Sequence, residues 1–516
     1  MSPSDCSLKG GFGPLVALVG AGPGDPGLIT RRGAELLARA EVVLYDRLVS
    51  PEILELAPAA ARMVCVDQLP GCHPDRIGTI SQAMLEAAEA GRRVVRLKGG
   101  DPILFGRCLE EVEPLVERGI PYLIVPGVTA ALGAAAYAGI PVTDRRLSSA
   151  VALVTGHENP AKSEGSLDWE ALARFPGTLV FYMGIARLEN LAKRLMAHGK
   201  PAETPAAIVA QATLSRQQVL VATLGDLVAK ARAAELKAPA VCMVGPVVDC
   251  RPVMDWFDRQ PFSGKRILTC RPRDTEGGQL VTWLRDLGAS VHNIPTLSIV
   301  PTQTGPIPGL VEGASPPWDW VVFSSQPGVE AFFTRLHALG LDARSLAGTR
   351  VAAVGEHTGA ALLRHGIRAD CWNPGGNAEC LAAELKGRVA GQAVLLVRAD
   401  RGRDVLAKTL GPVCRVLEWV AYRQEDRKKL HPAEVDWLAQ APLDAVVLTS
   451  GNIARALAGL LDDDKLEAIR SGQTRLFSLS PVTSAAIREL GWPVSGEARA
   501  PSMRELVQAM MEGMKR

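Results

Sequence analysis

The first half of the chain alternates short β-branched and apolar runs with amphipathic stretches. Runs such as LVALVG, EVVLYD, RRVVRLKGG, TLVFYMG and AVCMVG are each followed by a helical pattern. This alternation is typical of βα units, because parallel strands need a long crossover connection and a helix usually provides it. The pattern therefore predicts an α/β fold with a mainly parallel sheet.

This alternation stops in one polar, proline-containing stretch near the middle of the chain. Residues 250–264 read CRPVMDWFDRQPFSG, and a new strand pattern, KRILTCRP, follows them. A loss of periodicity between two α/β patterns predicts a domain boundary. We predict a first domain over residues 14–250, a linker over 251–263 and a second domain over 264–516.

The second half contains an internal repeat with one constant offset. The run DWVVFSSQPGVEAF begins at Asp319, and the similar run DAVVLTSGNIARAL begins 125 residues later at Asp444. The run that begins at Arg350 returns with the same offset at Arg475. A constant offset over two separate blocks predicts that the second half folds as two similar α/β lobes.

Hydroxyl residues stand where a strand passes into a helix in both copies of the repeat. They are Ser324 and Ser325 in the first copy and Thr449 and Ser450 in the second. A helix amino end offers free N–H groups to an anion, but a serine at that place also caps helices that bind nothing. Both interpretations stay open from the sequence.

A glycine-rich loop follows the first predicted strand. The run VALVGAGPGDPGL contains G-x-G-x-x-G at Gly22, Gly24 and Gly27, which is the spacing of a dinucleotide site. However, Pro23 and Pro26 lack the N–H groups that a pyrophosphate loop must present. The loop therefore favours a ligand that is held by shape over a pyrophosphate.

Composition and charge exclude several classes of function. A formal net charge of +2 over 516 residues gives no support for a nucleic-acid or membrane-surface partner. The ten cysteines and eight histidines form no C-x-x-C or H-x-x-x-H pattern, so we predict neither a metal site nor a redox pair. The amino-terminal residues have no secretory pattern, which predicts a cytoplasmic protein with free thiols.

One uncharged stretch, Tyr122–Val142, is long enough to span a bilayer. It is rich in alanine and is interrupted by Pro126, Gly127, Gly139 and Pro141. We predict a strand, a turn and a small-residue helix packed on a sheet, and not a membrane span.

A second glycine loop, VVRLKGGDPILFGR, begins at Val94. Together with VGAGPGDPGLIT, YDRLVS, VPGVTAALGAAAYAGIP and TLVFYMG, it makes residues 14–250 resemble the tetrapyrrole methyltransferase family, and within it the uroporphyrinogen-III C-methyltransferases. The resemblance implies a two-lobed α/β fold that binds S-adenosyl-L-methionine between its lobes. It also implies methylation of ring carbons of a reduced tetrapyrrole.

The resemblance also implies which residues form the site. The cofactor would contact Pro23, Gly99, Gly100, Asp101, Leu104, Thr129, Ala130, Met183 and Ala212. Asp46, at the end of EVVLYD, matches the position assigned as proton acceptor. Two positions depart from the family pattern: Gln68 stands where a proton-donating lysine is common, and Asp144 stands in a turn that commonly reads T-H-R. Glutamine cannot exchange a proton, so a binding module with impaired turnover stays an alternative.

The second half, over residues 264–516, resembles the uroporphyrinogen-III synthase family. The matching runs are GKRILTCRP, VVFSSQPGVEAF, AAVGEHTGAAL, VLEWVAYR and VVLTSGNIARAL. The resemblance implies two lobes, one over 264–300 and 424–516 and the other over 301–423, joined by two strands. It also implies cyclisation of hydroxymethylbilane with inversion of one pyrrole ring and without a cofactor.

Tyr422 in WVAYR lies where that family has an implicated tyrosine, and a phenol could protonate the leaving hydroxyl. The opposing interpretation is that a tyrosine at a strand end only packs. Candidate contacts to the substrate carboxylates are Ser325, Thr358, Arg398, Ser450 and Thr483.

Together the two resemblances predict a bifunctional enzyme that closes the tetrapyrrole ring and methylates it twice. The product would be precorrin-2, which lies on the siroheme and cobalamin branch. Methylation of another corrinoid intermediate stays an alternative. The expected partners are small tetrapyrroles, and a homodimer formed through the methyltransferase half is left open.

Overall fold

The computed structural model describes residues 15–70, 76–156, 167–271, 277–302, 306–310, 317–373, 377–402 and 404–515. The chain divides into two compact units, Met1–Gly264 and Lys265–Arg516. Each unit contains two five- or six-stranded sheets with helices packed against them.

The first sheet of the first unit is wholly parallel, with the strand order β3-β2-β4-β1-β5. Its strands are β1 (Val16–Gly20), β2 (Val42–Tyr45), β3 (Arg62–Cys65), β4 (Val94–Lys98) and β5 (Tyr122–Val125). Its helices are α1 (Arg31–Leu37), α2 (Pro51–Leu54), α3 (Arg76–Glu89) and α4 (Cys108–Glu117). Because the strands are parallel, their carboxyl ends meet at one edge, and the loops that leave this edge form the candidate site.

The second sheet of the first unit has the order β6-β7-β10-β8-β9. Its strands are β6 (Val151–Thr155), β7 (Thr178–Tyr182), β8 (Pro205–Ala210), β9 (Gln218–Thr223) and β10 (Ala240–Val244). The helices around it are α5 (Ala130–Ala138), α6 (Trp169–Arg174), α7 (Leu188–Ala197), α8 (Leu227–Ala233) and α9 (Arg251–Met254). Helix α5 packs its alanines on one face, and α6, α7 and α8 cover the other.

The prediction of a mainly parallel sheet is wrong for this second sheet. Only β6 and β7 pair in parallel, whereas β7–β10, β10–β8 and β8–β9 are antiparallel. The predicted alternation of strands and helices does not include β9. Only residues 211–217 separate β9 from β8. A loop this short can join only antiparallel neighbours.

The uncharged stretch Tyr122–Val142 forms β5, a turn and α5, which confirms the predicted strand, turn and helix. Among the described residues, no helix combines the length and the apolarity that crossing a bilayer requires.

Residues 251–263, predicted to be a linker, are folded against the first unit. Arg251 donates a hydrogen bond to the Ala138 carbonyl at the end of α5, and the Trp256 indole N–H donates to the Ala136 carbonyl at 2.9 Å. Phe262 is fully buried. The loss of strand and helix periodicity in this stretch therefore marks irregular but packed structure.

The second unit begins with β11 and contains two sheets. In chain order its strands are β11 (Arg266–Thr269), β12 (Ser290–Asn293), β13 (Leu297–Pro301), β14 (Trp320–Phe323), β15 (Arg350–Ala353), β16 (Cys371–Trp372), β17 (Ala393–Ala399), β18 (Arg415–Asp426), β19 (Ala445–Leu448), β20 (Arg475–Ser478) and β21 (Gly496–Glu497). Its helices are α10 (Gly277–Asp286), α11 (Gln326–Ala338), α12 (Glu356–Arg364), α13 (Ala378–Lys386), α14 (Val405–Leu410), α15 (Pro432–Ala439), α16 (Gly451–Ala458), α17 (Asp463–Arg470), α18 (Pro481–Glu489) and α19 (Met503–Met514).

One sheet of this unit has the order β12-β11-β19-β20-β21 and is parallel throughout. The other has the order β13-β18-β17-β14-β15-β16, and only its β13–β18 pair is antiparallel. Strands β13 and β18 therefore both belong to the second lobe. The first lobe accordingly ends before Leu297 and resumes after Asp426, a few residues from the expected limits.

The two blocks of the predicted repeat fall on matching elements of the two sheets. One block covers β14 and α11 in one sheet and β19 and α16 in the other. The second block covers β15 and α12, and β20 and α18. That the two lobes are similar as wholes stays a prediction, but in both lobes each block places a strand before a helix.

Candidate functional site

Three loops leave the carboxyl ends of β1, β4 and β5 and touch through their backbones. Gly22 and Gly100 exchange two backbone hydrogen bonds, of 3.1 and 2.7 Å. A Cβ atom on Gly20 would lie 2.6 Å from the Cα atom of Gly127, so this close approach requires glycine. The predicted cofactor loop that contains Pro23 therefore lies directly beside the loop that contains Gly100.

The carboxylate of Asp101 shapes the second loop from inside. Its Oδ1 atom accepts hydrogen bonds from the N–H groups of Ile103 (2.9 Å) and Leu104 (3.2 Å). Its Oδ2 atom accepts from the Gly127 N–H at 3.0 Å. Both oxygens of Asp101, a predicted cofactor contact, therefore already accept hydrogen bonds from loop backbone, so the side chain also has a structural role.

The space in front of Gly99 is open. A Cβ atom added there would have the Leu48 side chain, at 3.8 Å, as its nearest neighbour. Exposed glycine backbone beside two turns fits a ligand that packs closely by shape. S-Adenosyl-L-methionine, which the sequence predicts for this place, is such a ligand.

The start of α5 is fixed to the end of β7 through one phenol. The Tyr182 hydroxyl lies 2.6 Å from Thr129 Oγ1 and accepts a hydrogen bond of 2.9 Å from the Ala131 N–H. Ala130 stands between these two contacts. Met183 follows Tyr182 with a left-handed backbone (φ 54°), and 51% of its surface is exposed.

Ala212 lies in a loop whose neighbours both have left-handed backbones. The φ values are 52° for Gln211 and 67° for Thr213. The Thr213 hydroxyl accepts a hydrogen bond of 2.9 Å from the Asp25 N–H, which ties this loop to the first glycine loop. The structure thus gathers the nine positions predicted to bind cofactor onto loops that adjoin one another.

Asp46 follows β2 directly and is held by both of its oxygens. Oδ1 lies 2.6 Å from Arg96 Nη2, and Oδ2 accepts from the Gly99 N–H at 3.2 Å. Glu111 Oε1 lies 3.1 Å from Arg96 Nη2 and 2.7 Å from Lys98 Nζ, and these three side chains are at most 5% exposed. Burial lowers the pKa of Lys98, and the charge of Arg96 lowers it further. The Asp46 side chain is 28% exposed, so a fixed carboxylate remains accessible to a ligand.

The two departures from the family pattern lie on turns, Gln68 at an exposed position and Asp144 at a half-buried one. Gln68 is exposed and ends the short 3₁₀ turn Val66–Gln68 after β3, the strand beside β2. Asp144 accepts hydrogen bonds from the Arg146 N–H (2.9 Å) and the Arg146 guanidinium (3.3 Å), which lower the pKa of Asp144 in that order. These contacts assign Asp144 to the turn itself.

Tyr422, in β18, is 4% exposed, and its hydroxyl lies 2.9 Å from Ser325 Oγ. Burial raises the pKa of Tyr422, so the phenol keeps its proton at neutral pH. Ser325 is the N-cap of α11 and accepts a hydrogen bond of 3.3 Å from the Gly328 N–H. A protonated phenol thus lies against a helix amino end, where it can donate a hydrogen bond.

The amino end of α16 approaches the same strand. The Asn452 side chain donates a hydrogen bond of 2.8 Å to the Gln424 side chain, which is two residues from Tyr422 on β18. Ser450 caps α16 by accepting from the Ile453 N–H at 3.3 Å. The two predicted serines therefore both cap helices. Binding of an anion at these helix ends stays a prediction.

The three remaining predicted substrate contacts are buried or already paired. Thr358 and Thr483 are 3% and 2% exposed, about as buried as Tyr422 at 4%, so burial does not separate them from the other candidates. Arg398 Nη1 lies 2.5 Å from Glu418 Oε2, and its Nη2 lies 2.8 Å from Asp404 Oδ1. Because these partners neutralise Arg398, the structure argues against its predicted role in binding substrate carboxylates.

Sequence reasoning overlooked several residues of the first unit. Phe105 packs on Tyr182 with ring centroids 5.1 Å apart. Arg96 and Lys98 alternate within the buried strand β4, and charges in such a strand indicate buried partners that its sequence does not identify. Across the described residues, no group of three or more side chains could hold a metal ion.

Comparisons with known proteins match both units. The family model of the tetrapyrrole (corrin/porphyrin) methylases matches residues 15–228. The model of uroporphyrinogen-III synthase HemD matches residues 278–508.

Individual proteins extend these matches. The chain is 42% identical to a porphyrin biosynthesis protein HemD of Ruminiclostridium josui, over 69% of this chain and 70% of that one. It is 36% identical to a uroporphyrinogen-III C-methyltransferase of Bacillus subtilis, over 68% and 72%. An S-adenosyl-L-methionine-dependent uroporphyrinogen III methyltransferase of Methanosarcina barkeri is 44% identical over 48% of this chain and 96% of its own. The chain spans about half the length of the siroheme synthases it matches, for example 52% of one from Yersinia enterocolitica.

Proposed function

Because the chain belongs to the tetrapyrrole (corrin/porphyrin) methylases through its first unit and carries a uroporphyrinogen-III synthase HemD domain in its second, we propose that it makes one tetrapyrrole and then methylates it. It is a bifunctional tetrapyrrole enzyme, and its methyltransferase uses S-adenosyl-L-methionine. The proposed steps are cyclisation of hydroxymethylbilane to uroporphyrinogen III, with one ring inverted, and two methylations that give precorrin-2.

The observation that carries the methylation step is the open glycine surface beside Asp46. S-Adenosyl-L-methionine supplies an electrophilic methyl group when it is bound. Gly99 and Gly100 would hold it through backbone atoms, while Pro23, Met183 and Ala212 would close around it. The pyrrole carbon is itself nucleophilic, so the residues need only align it with the methyl group and remove a proton.

Asp46 is the proposed proton acceptor. Methylation leaves a cationic pyrrole, and a proton must then leave a neighbouring carbon to restore neutrality. The Arg96 guanidinium and the Gly99 N–H hold the carboxylate in one orientation. A cation gives up a proton readily, so a carboxylate that is held beside it suffices as the acceptor.

In the second unit, Tyr422 is the proposed acid. The carbon–oxygen bond of the terminal hydroxymethyl group breaks, the phenol proton joins the departing hydroxyl to form water, and an azafulvenium cation remains beside the phenolate. The far end of the chain attacks this cation, and the proton released on ring closure returns to the phenolate. Burial keeps Tyr422 protonated, and Ser325 fixes its hydroxyl. The amino ends of α11 and α16 are the proposed sites for substrate carboxylates, because free N–H groups and the helix dipole favour anions there.

The experiment that tests the proposal supplies the full chain with hydroxymethylbilane and methyl-labelled S-adenosyl-L-methionine. Mass spectrometry should find a product with two labelled methyl groups. Without the cofactor, oxidation of the product should give the inverted isomer III of uroporphyrin. Isomer I alone would overturn the synthase assignment, and an unlabelled isomer III would overturn the methyltransferase assignment.

Gln68 motivates one alternative, a first unit that binds its ligands with impaired turnover. Its exposed amide lies at the end of β3, beside the strand that carries Asp46, and cannot donate a catalytic proton. A single-turnover assay with labelled cofactor distinguishes the two functions. Transfer of label to uroporphyrinogen III supports the enzyme, and binding without transfer supports the module.

We also propose that the first unit pairs with a second copy. Val151 and Leu153 lie on the edge strand β6 with 38% and 36% of their surfaces exposed, and a partner would cover them. Sedimentation equilibrium should give twice the chain mass. The Leu153→Glu variant should shift the protein toward the monomer, and a monomeric wild type would contradict the proposal.

A further inference from the structure

One glutamine side chain joins three segments of the first unit. Gln217 Oε1 accepts a hydrogen bond of 3.0 Å from the Thr213 N–H, in the loop that contains Ala212. Its Nε2 group donates to the Tyr137 carbonyl at 3.2 Å and to Asp258 Oδ1 at 3.3 Å. The Ala212 loop, the end of α5 and the segment 251–263 therefore meet at this amide.

A phenol ties the first glycine loop to the same place. The Tyr137 hydroxyl donates a hydrogen bond of 2.5 Å to Asp25 Oδ2. Pro23 packs on α5 so closely that a Cβ atom on Gly133 would lie 2.5 Å from its ring. Since the Asp25 N–H also binds the Thr213 hydroxyl, both loops depend on this corner of α5.

The segment 251–263 encloses the Tyr137 ring. The rings of Trp256 and Phe257 pack against it with centroids 5.2 and 4.8 Å away. The Arg251 guanidinium lies 2.6 Å from the Asp258 carboxylate, which contacts Gln217 in turn. Packing and hydrogen bonds thus connect this segment with both loops.

We propose that residues 251–258, which lead toward the second unit, are a working part of the cofactor site in the first. They fix Tyr137 and Gln217, and these two residues hold the Pro23 and Ala212 loops in the conformation that binds S-adenosyl-L-methionine. Tyr137, Gln217 and Trp256 are then positioning residues. The inference rests on the proposed function, which places Pro23 and Ala212 against the cofactor.

The backbone gives a physical reason for such a support. Gln211 and Thr213 both have left-handed conformations, which cost free energy and persist only when the surroundings impose them. A loop that is already ordered before binding loses less conformational entropy when the ligand arrives. Release of the support should therefore weaken cofactor binding and leave the chemical step unaffected.

The test measures S-adenosylhomocysteine binding to the full chain by calorimetry. Tyr137→Phe removes one hydroxyl that binds a carboxylate and should raise the Kd about tenfold. Trp256→Ala should raise it several-fold, and Trp256→Phe should restore most of the affinity. During turnover, the Tyr137→Phe and Trp256→Ala variants should have a higher KM for S-adenosyl-L-methionine, whereas their kcat and their KM for the tetrapyrrole should stay at the wild-type values. General destabilisation of the protein would not produce this difference between the parameters.

Two matched variants control for loss of an aromatic group. Tyr122→Phe removes a hydroxyl from a residue that is 38% exposed on β5. Trp372→Ala truncates a tryptophan of the second unit that is 44% exposed, close to the 46% of Trp256. Both should bind S-adenosylhomocysteine as the wild type does.

A blocking variant, Ala212→Trp, separates this inference from the proposed pocket. If Ala212→Trp abolishes binding while Tyr137→Phe and Trp256→Ala bind normally, the positioning role is wrong and the pocket stands. If Ala212→Trp binds normally, the pocket assignment itself fails. Should Trp256→Ala not fold, Tyr137→Phe alone decides, because loss of one hydroxyl leaves the packing intact.

Discussion

The two units present their candidate residues in different ways. In the first unit the candidates stand on loops, with glycine backbone and a partly exposed carboxylate open to a ligand. In the second unit the polar candidates cap helices or pair with carboxylates of the same chain. The first unit therefore offers backbone and shape, whereas the second offers helix amino ends and one buried phenol.

The difference extends to the charge of the proposed catalytic groups. Asp46 is a carboxylate balanced by the buried cations Arg96 and Lys98, with Glu111 as the second anion. Tyr422 is neutral, and burial keeps it protonated. A proton acceptor must be present without its proton and a proton donor with it, so a carboxylate among cations and a buried neutral phenol suit opposite proton transfers.

The largest effect should come from removing the carboxylate of the first unit. Asp46→Asn should lower the methylation rate about 10³-fold, because a positioned base typically contributes 10²–10⁴. Labelled methyl transfer to uroporphyrinogen III measures it, and Asp168→Asn is the control, because Asp168 caps α6 at an exposed position and asparagine can replace it as a cap. Binding of S-adenosylhomocysteine and the synthase rate should not change. A variant that methylates at the wild-type rate would remove Asp46 from the mechanism.

A smaller effect is expected from the acid of the second unit. Tyr422→Phe should slow cyclisation by about 10²-fold, at the low end for general acids. The effect is small because the electron-rich pyrrole already helps the hydroxyl to leave the hydroxymethyl carbon. Methylation of added uroporphyrinogen III should be unaffected. Because burial raises the pKa of Tyr422, the wild-type synthase rate should not fall through loss of this proton until the pH exceeds the ordinary tyrosine value of about 10. A decline centred near neutral pH would point to another acid.

Much of the first unit could be predicted because its features are local. The βα rhythm fixes the first sheet, and its glycine loops follow their strands directly. The charge cluster behind Asp46 could not be predicted, since Glu111 lies 15 residues from Arg96 on another element. Only the packing of α4 on β4 brings the two together.

In the second unit, too, a contact between distant residues could not be predicted from the sequence. The sequence predicts Arg398 as a contact for substrate carboxylates, and it lies near the end of β17, but Glu418 lies 20 residues away on the neighbouring strand. Parallel pairing of β17 and β18 places Glu418 opposite Leu396, two residues before Arg398, and the long Arg398 side chain reaches the carboxylate from there. An arginine at a strand end therefore predicts a contact with an anionic ligand only if the neighbouring strand carries no carboxylate that can pair with it.

Replacement of Arg398 should affect stability and leave substrate binding unchanged. Arg398→Met should lower the free energy of unfolding of the second unit by about 2 kcal/mol, the range for hydrogen bonds to charged groups. The KM for hydroxymethylbilane should stay at the wild-type value. Arg401→Met is a matched control, since Arg401 pairs with Asp426 at a more exposed position. A raised KM with normal stability would restore the substrate role that the sequence suggested.

The smallest effects should separate the two helix caps, which the sequence could not distinguish. Ser325→Ala and Ser450→Ala should each lower the stability of the second unit by about 1 kcal/mol, as the loss of an N-cap does. Hydrogen exchange in α11 and α16 measures this loss locally. Only Ser325 also contacts the Tyr422 hydroxyl, so Ser325→Ala alone should slow cyclisation, by roughly tenfold for a lost hydrogen bond. Equal rates in the two variants would mean that the Ser325 contact serves the helix and not the phenol.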